Sequence, residues 1–225
     1  MTLSRILLVT GTDTGVGKTI ATAALASMLL EHGKTVAVYK PCQSGAAEGD
    51  SDIAEIQRLS GVEQAEAGVV LSLPMAPVPA AELDGVTLPT VHAHAERILA
   101  YAERFDYVLV EGAGGLLVEL DGERNTLAEL AIAVGPEAAM VVVARAALGT
   151  LNHTALTLEA LARREIAVQA LVLGSWPQDP GLIETTNHEH FAARDIPLCD
   201  IPEDAALLTP VQFRSAASGW LDGLV

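Results

Sequence analysis

The sequence has few basic residues, few cysteines and no long apolar run, and each shortage excludes a class of protein. Lys and Arg number 13 against 29 Asp and Glu, so the net charge is −16. Scattered basic residues exclude a nucleic-acid surface, which needs them clustered. Cys42 and Cys199 lack the spacing of a zinc site or a disulfide framework and fit a reducing cytoplasm. No stretch approaches the roughly 18 apolar residues of a membrane span, and the first apolar run is too short for a signal peptide. We expect a cytoplasmic protein with neither nucleic acid nor membrane as partner.

Half of the residues are apolar, and short β-type runs alternate with helical patterns along all 225 residues. A chain of this length suits one α/β domain, which would bury roughly 70% of its unfolded surface. The alternation predicts a doubly wound parallel β-sheet flanked by helices, in a single domain spanning 1–225. The proline-rich stretch 71–89 is predicted to be a surface excursion. The predicted strands are 6–10, 35–39, 107–110, 139–144, 167–173 and 197–201, and the predicted helices are 18–32, 51–59, 91–104, 127–134, 152–164 and 183–194.

A glycine loop follows the first predicted strand: ILLVT runs into GTDTGVGKT and then into the helix IATAALASMLL. Backbone N–H groups of such a loop bind phosphates, while its lysine reaches the β- and γ-phosphates and its Thr can ligate Mg²⁺. The strict P-loop pattern would place glycine at Thr12, so this loop is a variant. It predicts a P-loop NTPase fold and a nucleoside triphosphate ligand held by Gly15, Val16, Gly17, Lys18, Thr19 and Ile20.

The second predicted strand runs into YKPCQSG. Because parallel strands deliver their C-terminal ends to one crevice, Lys40 and Ser44 should lie near the phosphates. Pro41 is expected to end the strand ladder and turn the chain outward.

The segment GDSDIAEIQRLS predicts a helix that Ser51 caps and Asp52 opens. Asp52 either complements the helix dipole or approaches Mg²⁺ from the side opposite the P-loop. Asp50, two residues earlier, competes for the metal role, and spacing alone does not choose between them.

An acidic residue, Glu111, directly follows the apolar strand 107–110 in FDYVLVEGAGGLLVEL. A buried strand that ends in a carboxylate is the Walker-B form, in which the acid helps to hold Mg²⁺. Gly112, Gly114 and Gly115 allow the backbone to approach a ligand closely.

These motifs, GTDTGVGKT, YKPCQSG, GDSD and VEGAGG, together with the later ALGTLNHT, resemble in order and spacing those of the dethiobiotin synthetase family over the full length. The resemblance implies an Mg²⁺-dependent ligase of biotin synthesis. Such an enzyme takes 7,8-diaminopelargonate, CO₂ or bicarbonate and a nucleoside triphosphate to dethiobiotin through a phosphorylated carbamate.

Residue roles follow from the same resemblance. Lys40 and Lys18 would be catalytic, with Thr14 and Ser44 at the substrate. Mg²⁺ would be held by Thr19, Asp52 and Glu111. Asp52 and Glu111 also count among the nucleotide-binding residues, with Gly112, Ala113 and Gly114. The family's homodimer implies that the substrate carboxylate reaches the partner subunit at Leu148, Gly149, Thr150, Leu151 and Asn152.

The base pocket departs from the family pattern. Members that select ATP carry an Asn-Arg-type segment where this chain has Gly174 and Ser175, so adenine selectivity should be weak. Further base contacts are expected from Asp200, Ile201, Pro202 and Leu207.

Two alternative functions share the P-loop sheet. A partition-type ATPase would carry a second lysine near the start of the loop, where this chain has Gly11, Thr12 and Asp13. A cobyrinate-amidating ligase would carry a glutaminase domain, which we do not expect in a sequence that ends at Val225.

Overall fold

Strands that are buried on both faces form the centre of the structure. Every residue of β1 (Ile6–Gly11) and β2 (Val36–Gln43) is buried, as a strand covered by helices on both sides requires. The computed structural model describes residues 3–49 and 51–224, so Asp50 lies outside the described residues. The other strands are β3 (Gln64–Val70), β4 (Tyr107–Gly115), β5 (Ala138–Ala144), β6 (Val168–Trp176) and β7 (Leu198–Pro202).

The seven strands form one sheet in the order β3-β2-β4-β1-β5-β6-β7, and every pair is parallel. The order reverses at β1, so the crevice outside its carboxyl end is where such a sheet binds ligands. This confirms the predicted doubly wound parallel sheet. The helices are α1 (Lys18–Glu31), α2 (Asp52–Ser60), α3 (Pro77–Asp84), α4 (Val91–Ala102), α5 (Leu127–Val134), α6 (Thr150–Ala162), α7 (Leu182–Ala192) and α8 (Pro210–Trp220).

Two apolar layers cover the faces of the sheet. On one face α1, α2 and α8 pack against the strands, and on the other α4, α5, α6 and α7 do so. The alanines of α1 are fully buried, and these small side chains let the helix lie close to the sheet. Within the described part of the chain, no helix combines the length and the apolar character needed to cross a bilayer.

The prediction that Pro41 ends the second strand is wrong, because β2 continues to Gln43. The pairing of β2 with β4 stops at Tyr39, whereas the pairing with β3 runs on to Gln43. Pro41 therefore lies where the strand is paired on one side only, and a missing N–H is tolerated there.

The stretch 71–89 is not a plain excursion, because it contains α3. This short helix begins with Pro77 at its first turn and ends at Gly85, whose φ of 67° is left-handed. Proline suits the first turn of a helix because the first N–H groups have no partner within the helix.

The sequence prediction also lacked β3 and α8. β3 reads QAEAGVV, a composition with little β-propensity, and it lies at the sheet edge.

A buried polar pair, Tyr39 and His94, lies inside the layer that α4 covers. The Tyr39 hydroxyl and His94 Nδ1 are 2.7 Å apart, and His94 Nε2 is buried without a hydrogen-bond partner among the described residues. Burial lowers the pKa of His94 to about 4, against a weaker opposing effect of Asp121. The native state therefore holds this imidazole neutral.

His94→Gln should flatten the acid side of the stability profile. Between pH 6.5 and about 4 the unfolded chain protonates His94 and the folded chain does not, so stability falls as pH falls through this window. One such proton gives a slope of at most about 1.4 kcal/mol per pH unit. Urea unfolding at several pH values measures it. His92→Gln, on the same helix but 81% exposed, is the control and should keep the wild-type slope. An unchanged slope in His94→Gln would contradict the assignment.

Candidate active site

The glycine loop joins β1 to α1 and presents backbone to the crevice. Gly15 and Gly17 have φ values of 71° and 97°, which only glycine adopts readily. Gly17 caps α1 without any side chain, so the first N–H groups of the helix face the crevice as anion donors. Val16 is 2% exposed and packs into the core, which anchors the loop. Lys18 Nζ donates to the Asp13 carbonyl oxygen at 3.3 Å.

Lys40 lies between two carboxylates. Its Nζ is 2.7 Å from Glu111 Oε1 and 2.8 Å from Asp52 Oδ2, and the whole residue is 4% exposed. The three residues come from β2, β4 and the first turn of α2. The structure therefore brings together groups that are far apart in the sequence, at the edge where parallel strands end.

Thr19 completes this cluster from the P-loop side. Its hydroxyl lies 2.9 Å from Asp52 Oδ1 and 3.1 Å from Glu111 Oε1. A hydroxyl carries one proton, so it donates to only one of these oxygens at a time. The residues predicted to hold a metal, Thr19, Asp52 and Glu111, thus converge on one point.

The charges within the cluster shift pKa values in opposite directions. Burial alone would lower the pKa of Lys40, but the attraction of Glu111 and then Asp52 outweighs it, and the net pKa is raised. Burial opposes ionisation of Asp52, yet the Lys40 ammonium brings its pKa below the usual range. The pKa of Lys18 is lowered, chiefly by burial. Lys40 is therefore firmly cationic and Asp52 firmly anionic at neutral pH.

The donor set fits a hard divalent cation. Two carboxylates and a hydroxyl offer only oxygen, the ligand type that Mg²⁺ takes, and Glu111 Oε2 is buried with no hydrogen-bond partner among the described residues. Over the described ranges, 3–49 and 51–224, no group of three or more His, Cys, Asp or Glu residues is placed to hold a metal. Mg²⁺ usually takes one or two protein carboxylates and completes its shell with water and phosphate.

An open cleft of about 540 Å³ lies over the cluster. Most residues predicted for the phosphates and the reacting end of the substrate line it: Thr14, Gly15, Gly17, Lys18, Thr19, Ile20, Lys40, Ser44, Asp52, Glu111, Gly112, Ala113 and Gly114. Apolar residues also line it: residues 74–77, at the connection into α3, and Val118. The cleft thus combines a charged floor with apolar lining residues.

The residues predicted for the base do not line this cleft. Ser175 and Leu207 are exposed, while Ile201 is fully buried and its side chain belongs to the core. Asp200 is partly buried, and its Oδ2 lies 2.8 Å from His188 Nε2. Gly174 lies against the P-loop backbone, so it is the predicted base residue that directly adjoins the phosphate loop.

The loop predicted for the substrate carboxylate also lies apart from the cleft lining. Leu148, Gly149 and Asn152 are exposed, Leu151 is partly buried and Thr150 is buried. Gly149 caps α6 without a side chain; the Thr150 N–H donates to the Ala147 carbonyl oxygen at 3.3 Å, which leaves the N–H groups of Leu151 and Asn152 available to an anion.

Two features of the site are not among the predicted residues. Asp13 Oδ2 accepts a hydrogen bond from Arg145 Nη2 at 2.6 Å, and Asp13 Oδ1 accepts one from the Thr14 N–H. Both side chains of this ion pair are about half exposed, so it contributes at most about 1 kcal/mol to the stability of the fold.

The second feature is Gln43, which is buried and lines the cleft. Its place within YKPCQSG, between Lys40 and Ser44, was the available signal.

The chain is similar to known proteins over most of its length. A family model described as an AAA domain matches residues 5–210. An ATP-dependent dethiobiotin synthetase from Mycobacterium avium is 47% identical over 221 residues, covering 96% of this chain and 95% of that protein. The enzyme of the same name from Mycobacterium tuberculosis strain H37Ra is 46% identical over 226 residues, with 98% and 99% covered.

Solved structures show the same fold at low identity. The septum site-determining protein MinD of Pyrococcus horikoshii, complexed with Mg-ADP, gives a TM-score of 0.61 at 17% identity, covering all of this chain and 93% of that one. A putative plasmid partition protein from Borrelia burgdorferi, bound to AMPPNP, gives 0.61 at 11% identity, with 97% of each chain covered. At these identities the likeness concerns the fold alone.

Gly174→Ala should weaken nucleotide binding. A Cβ atom on Gly174 would lie 2.1 Å from the Val16 carbonyl oxygen, so strand and loop must separate. Because the loop N–H groups are the predicted phosphate donors, we expect a loss of at least about 10-fold in affinity, the equivalent of about 1.4 kcal/mol. Calorimetry with a non-hydrolysable ATP analogue measures it. Gly219→Ala, in α8 with open space around the added atom, is the control and should bind like the wild type. Wild-type affinity in Gly174→Ala would refute the contact.

Proposed function

The chain belongs to the family of ATP-dependent dethiobiotin synthetases, and on that premise we propose that it converts 7,8-diaminopelargonate and CO₂ or bicarbonate into dethiobiotin, a step of biotin synthesis. The observation that carries the proposal is the contact of Lys40 with Glu111 and Asp52 directly beside the P-loop lysine and threonine. This arrangement places two ammonium groups, together with two carboxylates that could hold a divalent cation, where an anionic carbamate would meet a triphosphate. We further propose a cytoplasmic location, which suits two free, buried cysteines.

The proposed reaction has three steps. One amine of the substrate attacks CO₂, a C–N bond forms, and loss of a proton leaves a carbamate. A carbamate oxygen then takes the γ-phosphoryl group of the nucleotide, and the nucleoside diphosphate leaves. The second amine attacks the carbamate carbon, the C–O bond to phosphate breaks, and the cyclic urea remains. Little covalent work falls to the protein, so positioning and charge neutralisation supply most of the acceleration.

Lys40 acts in this scheme as a fixed cation. Because its pKa is raised, Lys40 does not serve as a general base at neutral pH. Its ammonium would instead donate hydrogen bonds to the carbamate and to the transferring phosphoryl group. Ser44 and Thr14, which line the same cleft, would orient the carbamate and the reacting amine.

The nucleotide phosphates would be bound by the loop N–H groups of Gly15–Thr19 and by Lys18. Thr19, Asp52 and Glu111 would hold Mg²⁺, which supplies charge neutralisation on the phosphate oxygens when bound. The buried Glu111 Oε2 without a hydrogen-bond partner, among the described residues, supports this assignment. Gly112, Ala113 and Gly114 would bring backbone to the phosphates from β4, and Gly174, Ser175 and residues 200–202 with Leu207 would surround the base.

The far end of the substrate would be bound across a homodimer. The segment Leu148–Asn152 would receive the carboxylate through the N–H groups of Leu151 and Asn152 in the first turn of α6. Support comes from two exposed leucines. Leu148, just before α6, is 80% exposed and Leu156, on α6, is 57% exposed, so apolar surface is uncovered on one protomer. The alternative of a partition-type ATPase has only a likeness of fold to support it, and no observation favours a cobyrinate-amidating ATPase.

Lys40→Ala should lower kcat by about 10²–10³-fold with all substrates saturating. The loss of a charge aimed at the transferring phosphoryl group removes about 3–4 kcal/mol of transition-state stabilisation. Steady-state dethiobiotin formation measures it, and circular dichroism checks that the variant is folded. Lys34→Ala removes an exposed lysine after α1 and should keep the wild-type kcat. A near-native kcat in folded Lys40→Ala would mean that Lys40 has no catalytic role.

Several nucleoside triphosphates should support turnover. Gly174 and Ser175 offer no side-chain amide to read a base, so discrimination rests on pocket shape and should stay within about 10²-fold, mainly in KM. The assay combines bicarbonate, diaminopelargonate and Mg²⁺ with ATP, GTP, CTP or UTP and detects dethiobiotin by mass spectrometry. Absence of product with every nucleotide would overturn the proposed function. Turnover with ATP alone would overturn only the expectation about the base.

A further inference from the structure

Gln43 connects the two segments that carry the charged floor of the cleft. Its Oε1 accepts a hydrogen bond from the Asp52 N–H at 3.0 Å, and its Nε2 donates to the Ser44 carbonyl oxygen at 2.9 Å. The residue is 4% exposed and ends β2, three positions after Lys40. One side chain therefore joins the end of a strand to the start of α2.

The orientation of this amide is fixed by its partners. A backbone N–H only donates and a backbone carbonyl only accepts, so the oxygen must face Asp52 and the nitrogen must face Ser44. No other uncharged side chain of this length offers both groups. Glutamate would turn a charged oxygen toward the Ser44 carbonyl, and methionine would leave both backbone groups without a partner.

The contact acts on the backbone of Asp52. Asp52 is the first residue of α2, and its N–H is one of the helix-terminal donors that have no partner within the helix. By accepting from this N–H, Gln43 fixes where α2 begins relative to β2. The Asp52 carboxylate is then held within 2.8 Å of Lys40 Nζ and 2.9 Å of the Thr19 hydroxyl.

We propose that Gln43 is a positioning residue of the reaction, which sets the carboxylate of Asp52 for metal binding and the backbone at Ser44 for the substrate. The inference rests on the proposed function of the site. It predicts that substitution of Gln43 weakens cation binding more than the accompanying loss of fold stability explains.

A second buried glutamine provides a matched control. Gln169 is 5% exposed and likewise accepts from a backbone N–H, that of Ser4 at 2.9 Å, on β6 away from the cleft lining. Gln43→Met and Gln169→Met make the same chemical change and each leaves one backbone donor unpaired. A merely structural role of Gln43 would make the two variants equivalent at the metal site.

The experiment titrates Mn²⁺ into the full-length chain with a non-hydrolysable ATP analogue and measures free Mn²⁺ by electron paramagnetic resonance. Removal of a group that orients a metal ligand commonly weakens metal binding by about 10–100-fold, and we expect at least about 10-fold for Gln43→Met. Gln169→Met should stay within about 2-fold of the wild type. Gln43→Asn keeps the amide, but its side chain is too short to reach the Asp52 N–H, so it should weaken Mn²⁺ binding as well. This variant replaces Gln43→Met in the experiment if Gln43→Met does not fold.

Mn²⁺ affinity within 2-fold of the wild type in a folded Gln43 variant would overturn the inference, and so would an equal loss in Gln169→Met. Dethiobiotin formation by the wild type is measured separately. If the wild type makes no dethiobiotin while Gln43→Met still loses Mn²⁺, the proposed function fails and the positioning role stands. If the wild type makes dethiobiotin and Gln43→Met binds Mn²⁺ normally, the positioning role alone fails.

Discussion

Two carboxylates share the floor of the cleft, Glu111 at 1% exposure and Asp52 about one-third exposed, and the ammonium of Lys40 lies between them. Buried carboxylates are tolerated when a cation and hydrogen bonds compensate them, and removal of one partner of such a pair commonly costs about 3–5 kcal/mol. Much of the local structure serves this contact. β2 extends past the end of its pairing with β4 so that Lys40 reaches the carboxylates, and α2 begins where Asp52 closes the group from the other side.

The same contact reconciles an acidic chain with an anionic ligand. A net charge of −16 repels phosphates at long range, so attraction must be local. Two buried lysines, Lys18 and Lys40, supply positive charge inside the cleft, where water screens it little, and a divalent cation held by Asp52 and Glu111 would offset the negative charge of these carboxylates. The free N–H groups at the start of α1 add a fixed positive end that no pH change removes.

The sequence predicted most of the fold and the charged floor of the cleft, and the physical reasons are clear. Buried strands can be recognised in a sequence as apolar runs. A parallel sheet brings the carboxyl ends of its strands together, so the convergence of Lys40 and Glu111 follows from the topology. The edge strand β3 escaped prediction because its half-exposed residues carry no apolar pattern, and α3 because its prolines resemble a loop.

Contacts that depend on how two segments lie relative to each other in three dimensions could not be predicted from the sequence. The hydrogen bond from the Asp52 N–H to Gln43 requires knowledge of where α2 begins relative to β2, and no local pattern contains it. The same holds for the ion pair of Asp13 with Arg145, whose partners are 132 positions apart. Motifs predicted most of the residues that line the cleft at its charged end, whereas the contacts of Gln43 and Asp13, which join separate segments, were not predicted.

The close packing of Gly174 on the P-loop has an evolutionary consequence. A Cβ on Gly17 would meet the Gly174 carbonyl oxygen at 2.5 Å, and a Cβ on Gly174 would meet the loop in turn, so the two positions constrain each other. A lineage can acquire a base-reading side chain at position 174 only if the phosphate loop shifts with it. A change of nucleotide preference through position 174 of this chain therefore requires concerted change of two segments that are distant in the sequence, because the phosphate loop must still bind triphosphate.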